Sequence, residues 1–154
     1  MKVQGRAFII TGGCGALGGG VAREILSRGG IVVIFDVLPE EKGKQIVEGY
    51  SKDKAFYYKT DISDVDVVAR NCEEALKVIP KGSLFGAVHC AAISRSRKWS
   101  AKMADSCKDF LEISKTNIYG TFVVDACVAD AINSQYPSTE GDAFPPRVSE
   151  ERGV

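Results

Sequence analysis

From residue 7 to about residue 132, short apolar runs alternate with segments whose apolar positions recur every three or four residues. Ala7-Phe8-Ile9-Ile10-Thr11 shows no polar alternation and ends in glycines, the pattern of a strand buried on both faces. Leu17, Val21 and Ile25, with Ala22 and Leu26 beside them, predict one core-facing helical stripe, which Gly29-Gly30 closes. Residues 31–35 form the next buried strand, and it ends on Asp36. Pro39 is suited to the first turn of a helix reaching about Tyr50. A third strand over 55–58 stops at Asp61.

Ser63 and Asp66 resemble a capping box, which makes Ser63 the expected N-cap of the third helix. Val65, Val68, Ala69, Cys72, Ala75, Leu76 and Ile79 then fall on one stripe before Pro80-Lys81-Gly82 breaks it. Residues 84–88 read as a fourth strand. A polar stretch from Ser94 to about Lys108 leads to a long helix from about Phe110 to Ile132. Apolar strands separated by amphipathic helices predict an α/β, doubly wound parallel sheet with helices on both faces. Residues 1–132 are the expected domain. Residues 133–154 are polar, rich in Pro and Gly and without periodicity, and are expected to form a loop or tail.

Composition narrows the partners. Twenty basic and 20 acidic residues cancel, so nothing favours nucleic acid or an anionic membrane. His89 is the sole histidine, which argues against a His-based metal cluster. The five cysteines, Cys14, Cys72, Cys90, Cys107 and Cys127, are widely spaced without a Cys-x-x-Cys pair, the pattern of reduced thiols. No apolar run approaches the ~20 residues that span a bilayer. With a strand starting almost at once, no leader peptide is expected, and the cytoplasm is the expected location by elimination, a mitochondrial one staying open.

The first strand runs into Thr11-Gly12-Gly13-Cys14-Gly15-Ala16-Leu17-Gly18, where a helix begins. A glycine turn in this context lets backbone approach a pyrophosphate, and the N–H groups of the helix start can hold its charge. Asp36, at the end of the second strand, is placed to accept hydrogen bonds from adenosine ribose hydroxyls. A 2′-phosphate there would meet its negative charge. Neither Cys14 nor Val37 is basic, so NAD is favoured over NADP.

These residues resemble the short-chain dehydrogenase/reductase family over residues 1 to about 132. Thr11, Gly12 and Gly18 fit the turn of the family's shorter-chain branch, yet Ala16 stands at its middle glycine and Gly15 fits the longer-chain branch instead. Later residues favour the shorter-chain branch. Asp61-Ile62 resembles the pair that contacts adenine. His89-Cys90-Ala91-Ala92 resembles the family's Asn-Asn-Ala-Gly segment, with His89 and Ala92 departing from it. Asn117-Ile118-Tyr119-Gly120 matches a helix motif whose Asn serves a proton relay. Within the family the pattern is most similar to type 2 3-hydroxyacyl-CoA dehydrogenases and their relatives. The resemblance implies a Rossmann-type sheet in the order 3-2-1-4, truncated at about four strands, and NAD as cofactor. Thr11, Gly12, Gly15, Leu17, Gly18, Asp36, Asp61, Ile62, Cys90 and Ala91 would bind it, and Asn117 would serve the relay.

Two residues also have plainer readings. His89 is expected to be a hydrogen-bonding structural residue, and Asn117, in mid-helix, could bond to local backbone. The family's chemistry further uses a Ser, a Tyr and a Lys four residues after the Tyr. The one Tyr-x-x-x-Lys here, Tyr50 to Lys54, falls between the second helix and the third strand and is assigned no catalytic role. Arg152-Gly153-Val154 resembles the lead-in to a fifth strand. The expectation is a dehydrogenase's cofactor-binding half, incomplete alone, with an alcohol or ketone substrate and a homo-oligomeric state in the longer form. The alternative is a non-catalytic NAD(H)-binding module or a truncated product. The fourth strand is then expected to be an apolar sheet edge that invites pairing with other chains, so that the chain is marginally stable or relies on dimerisation or on further sequence.

Overall fold

The computed structural model describes residues 2–96 and 102–135. Four strands, β1 (Ala7–Thr11), β2 (Ile31–Asp36), β3 (Ala55–Lys59) and β4 (Leu84–His89), form one parallel sheet in the order β3-β2-β1-β4. The helices are α1 (Ala16–Ser27), α2 (Glu40–Glu48), α3 (Val65–Val78), α4 (Ser106–Ser114) and α5 (Thr121–Asn133). A 3₁₀ turn at Met103–Asp105 precedes α4, and a π-helical segment, Lys115–Gly120, joins α4 to α5.

Strand alternation sorts the core into two layers. Phe8, Ile10, Val32, Ile34 and Tyr57 face Ala22 and Ile25 of α1 and Val47 of α2. Ile9, Val33 and Phe35 face Val68, Cys72 and Ala75 of α3 and Val124 and Val128 of α5. Successive strand residues point to opposite faces, so a strand apolar at every position needs helices on both sides. The expected doubly wound sheet in the order 3-2-1-4 is what forms. Gly29, at φ +78°, ends α1 in a Schellman turn: Gly30 N–H donates to Ile25 C=O and Gly29 N–H to Leu26 C=O.

Several local expectations shift. The N-cap of α3 is Asp64, whose Oδ1 accepts from the N–H groups of Asp66 and Val67, while Ser63 bonds to Asp61. A carboxylate accepts two amides at a helix start better than a hydroxyl does, and this moves the cap by one residue. Pro39 likewise sits at the N-cap rather than inside α2. Val65 and Ala69 are exposed, so the stripe on α3 is narrower than the spacing implied. Leu17 is 71% exposed and lies off the core face of α1, where Gly18, Gly19, Ala22 and Ile25 are buried.

The long helix begins at Ser106 rather than near Phe110, and its middle is π-helical. At its far end, Asn133 still belongs to α5, and the Gln135 amide pairs with both the N–H and C=O of Leu84. The expected tail beyond residue 135, including Arg152-Gly153-Val154, lies outside the described residues, as do positions 97–101 of the polar stretch. Among the described residues no helix is long and apolar enough to cross a membrane.

Candidate functional site

The strand order reverses beside β1, whose connections run to β2 on one side and whose other neighbour is β4. In open parallel sheets the carboxyl ends of strands at such a point form the ligand crevice. The glycine turn leaves β1 there. Gly12 has φ +65°, a conformation glycine adopts without strain, and its N–H donates to Phe35 C=O at 2.8 Å. A Cβ at Gly12 would stand 2.7 Å from Ala91 N, and one at Gly18 would collide with the Gly12 carbonyl. The missing side chains let the turn close against α1 and against the segment after β4.

Thr11 ties those two segments together. Its Oγ1 accepts from Cys90 N–H and Ala91 N–H, both at 3.2 Å, and its C=O accepts from Cys90 N–H at 3.1 Å. The start of α1 has Gly15 as N-cap with no side-chain cap, and its first turn carries no acidic residue. Its early N–H groups therefore present uncompensated partial positive charge.

Asp36 faces this turn. Its Oδ2 accepts from Cys14 N–H at 3.0 Å and its Oδ1 from Leu38 N–H at 3.3 Å. A carboxylate has about four acceptor positions, so two backbone donors orient it and leave capacity for further hydroxyls. Burial, then the Asp36 charge and hydrogen bond, push the Cys14 thiol up to about 12. Cys14 is thus a neutral thiol near pH 7, as is Cys90, whose thiol burial also raises.

The other expected residues are placed unevenly. Asp61 is exposed, and its Oδ1 accepts from Ser63 N–H and Oγ. Ile62 is a core residue packed against Gly120, so its side chain serves the interior. Leu17 offers its backbone to the turn while its side chain points to solvent. His89 pairs across to Asp125 of α5, Nε2 to Oδ1 at 2.8 Å, an acid far away in sequence that periodicity alone did not bring near. Its Nδ1 is buried without a hydrogen bond.

The Asn117 side chain does not bond to its own helix. Its Oδ1 accepts from Ile93 N–H and its Nδ2 donates to Ile93 C=O, both at 2.9 Å. This two-point clamp fixes the chain after β4 to the π-helical segment. π-Turns occur often at functional positions because the extra residue redirects carbonyls.

Two tyrosines were not legible as site residues. The Tyr50 hydroxyl donates to Gly13 C=O at 3.0 Å, and that of Tyr57 to Leu38 C=O at 2.5 Å and Asp36 C=O at 3.1 Å. The available signal was the pairing of each with a helical glycine, Gly19 and Gly43, a correlation that only the packed structure exposes.

This arrangement, a glycine turn into a helix with a carboxylate at the end of the second strand, is that of a dinucleotide-binding sheet. The family model for short chain dehydrogenases matches residues 6–138, and the chain belongs to that family of oxidoreductases. A short chain dehydrogenase/reductase of Aspergillus versicolor, notP', is 30% identical over 138 residues, covering 86% of this chain and 46% of its own length. The 3-hydroxyacyl-CoA dehydrogenase type-2 of Rattus norvegicus is 27% identical over 145 residues, 91% of this chain and 53% of the relative. Among solved structures, a short-chain type dehydrogenase/reductase from Mycobacterium ulcerans superposes with TM-score 0.71 at 25% identity, over 85% of this chain and 48% of the other. A 3-ketoacyl-(acyl-carrier-protein) reductase from Brucella melitensis, complexed with NADH, gives TM-score 0.73 at 22% identity, over 86% and 52%. The chain spans about half the length of these relatives.

Proposed function

We propose that this chain is the NAD-binding half of an oxidoreductase that moves hydride between NAD and an alcohol or ketone. The carrying observation is Asp36, held by the amides of Cys14 and Leu38 beside the glycine turn. Its remaining acceptor positions suit the two ribose hydroxyls of the adenosine, and its charge opposes a 2′-phosphate. The N–H groups at the start of α1, those of Leu17 and Gly18 included, suit the pyrophosphate. Asp61 and the backbone of Ile62 suit the adenine edge, and Cys90 and Ala91 border the path toward the nicotinamide. When bound, the nicotinamide supplies the hydride acceptor or donor.

The chain's own groups position and shield; we assign none of them the acid–base step. Tyr50 is committed to Gly13, and burial raises its phenol above the ordinary tyrosine value, the opposite of what a proton-passing tyrosine needs. Asn117 holds the segment after β4 and would serve a relay only alongside groups outside the described residues. The same commitment of Tyr50 favours a second reading, an NAD(H)-binding module without chemistry of its own.

Titration with NADH, followed by nicotinamide fluorescence, should saturate. Asp36→Ala should weaken binding roughly tenfold to hundredfold, the effect of losing charge-assisted hydrogen bonds. Asp36→Arg should move preference toward NADPH. A chain indifferent to both changes would remove the cofactor reading. Turnover of a panel of alcohols by the same chain would remove the module reading.

A further inference from the structure

Tyr50, in the turn after α2, and Tyr57, on β3, stand behind the candidate site in matching ways. Each phenol lies over a glycine of a neighbouring helix. A Cβ on Gly19 of α1 would come within 2.5 Å of the Tyr50 hydroxyl, and one on Gly43 of α2 would enter the Tyr57 ring. Each hydroxyl ends on a backbone carbonyl next to the amides that grip Asp36. Gly13 C=O, which accepts from Tyr50, shares a rigid peptide plane with the Cys14 N–H that donates to Asp36 Oδ2. Fixing one end of that plane fixes the direction of the other. Tyr57 donates to the carbonyls of Asp36 and Leu38, which flank the Leu38 N–H bound to Asp36 Oδ1.

The Arg23 guanidinium lies over the Tyr50 ring, 5.3 Å from its centre, within cation–π range. Burial raises both phenols, so both remain hydroxyl donors well above neutral pH.

Building on the NAD reading of the site, we propose that Tyr50 and Tyr57 are positioning residues that aim the Asp36 carboxylate through the backbone, Tyr50 through the peptide unit that carries the Cys14 N–H and Tyr57 through the units on either side of the one that carries the Leu38 N–H, and so sharpen the preference for NADH over NADPH. Neither touches the cofactor in this account. Each acts through backbone, and removing its hydroxyl leaves Asp36 present and still bonded to the amides of Cys14 and Leu38, with those amides less firmly aimed.

Tyr50→Phe and Tyr57→Phe keep each ring over its glycine and remove one oxygen. The whole chain and both variants are titrated with NADH and with NADPH, and amide hydrogen exchange is followed at Cys14, at Leu38 and along α3. NADH affinity should fall about fivefold in each variant, the effect of one hydrogen bond. NADPH affinity should fall less, which narrows the preference. Exchange should quicken at Cys14 in Tyr50→Phe and at Leu38 in Tyr57→Phe, while α3 is unchanged.

Unchanged exchange at both amides overturns the proposal, and so does an equal loss of both nucleotides accompanied by faster exchange in α3. A chain that binds NADH with the same preference in every variant overturns this inference alone. A wild-type chain that binds neither nucleotide overturns the cofactor reading and this inference with it.

Discussion

The two flanks of β1 are built from similar apolar strands and reach different ends. On one flank β2 lies between β1 and β3, and Val32, Val33, Ile34 and Phe35 are all fully buried. There the backbone itself is complementary: glycines receive tyrosine rings, and peptide units hold Asp36. On the other flank β4 has β1 as its one strand neighbour among the described residues, and only Leu84 of its six residues is buried. Side chains do the fastening on that flank. Gln135 grips Leu84, Asp125 meets His89 and Asn117 clamps Ile93, so three groups from the α4–α5 line hold the strand and the segment that follows it.

That same helix line leaves Phe110, Leu111, Ile118 and Phe122 exposed. The same apolar pattern is therefore buried throughout on the central strand β2 and only in part on the edge strands β3 and β4.

The sharpest test of the contrast is a pair of truncations. Phe35→Ala should cost about 4 kcal/mol in urea unfolding, as expected for a fully buried aromatic. Phe122, 70% exposed, should lose under about 0.5 kcal/mol on the same change. Equal costs would mean the second flank is as tightly packed as the first.

Next is Gly12→Ala, which adds left-handed strain to a collision with Ala91 and should cost about 3 kcal/mol while abolishing nucleotide binding. Retained binding would show that the turn opens freely. Asn117→Ala removes both bonds to Ile93 and should cost about 2 kcal/mol, with amide exchange at Ile93 rising before exchange in β2. Protection at Ile93 surviving the change would show that the clamp is incidental.

The smallest effect is set by pH. Burial pushes the Cys72 thiol from 9.0 up to about 12, with nearby Cys127 and Glu73 adding to it, and Cys14 rises to the same level. The unfolded chain loses these protons first, so the neutral thiols' contribution is intact below about 9 and is lost as pH climbs toward about 12. Melting temperature should fall across that window, and Cys72→Ala should flatten the slope. A slope identical in the variant would assign the alkaline loss to other groups.

The periodicities named each strand among the described residues and the first three helices, and the glycine turn with Asp36 was readable because both are local: a turn needs its glycines in sequence, and a strand end needs its acid. Boundaries were less legible. Ser63 looked like the cap by spacing, yet Asp64 wins because its carboxylate reaches two amides. Leu17 fitted the stripe of α1 by number, but the buried face of that helix runs through Gly18, Gly19, Ala22 and Ile25 and leaves Leu17 outside it.

What the sequence determined by itself was the alternation of strand and helix, and with it a doubly wound parallel sheet, because side-chain period and apolar run length are properties of neighbouring residues. What only the tertiary structure decided was which distant groups meet. Asp125 reaches His89, Asn117 clasps Ile93, and Tyr50 and Tyr57 settle over Gly19 and Gly43 to hold the carboxylate of Asp36. Those pairings depend on the packing of whole helices against a sheet, and no spacing along the chain encodes them.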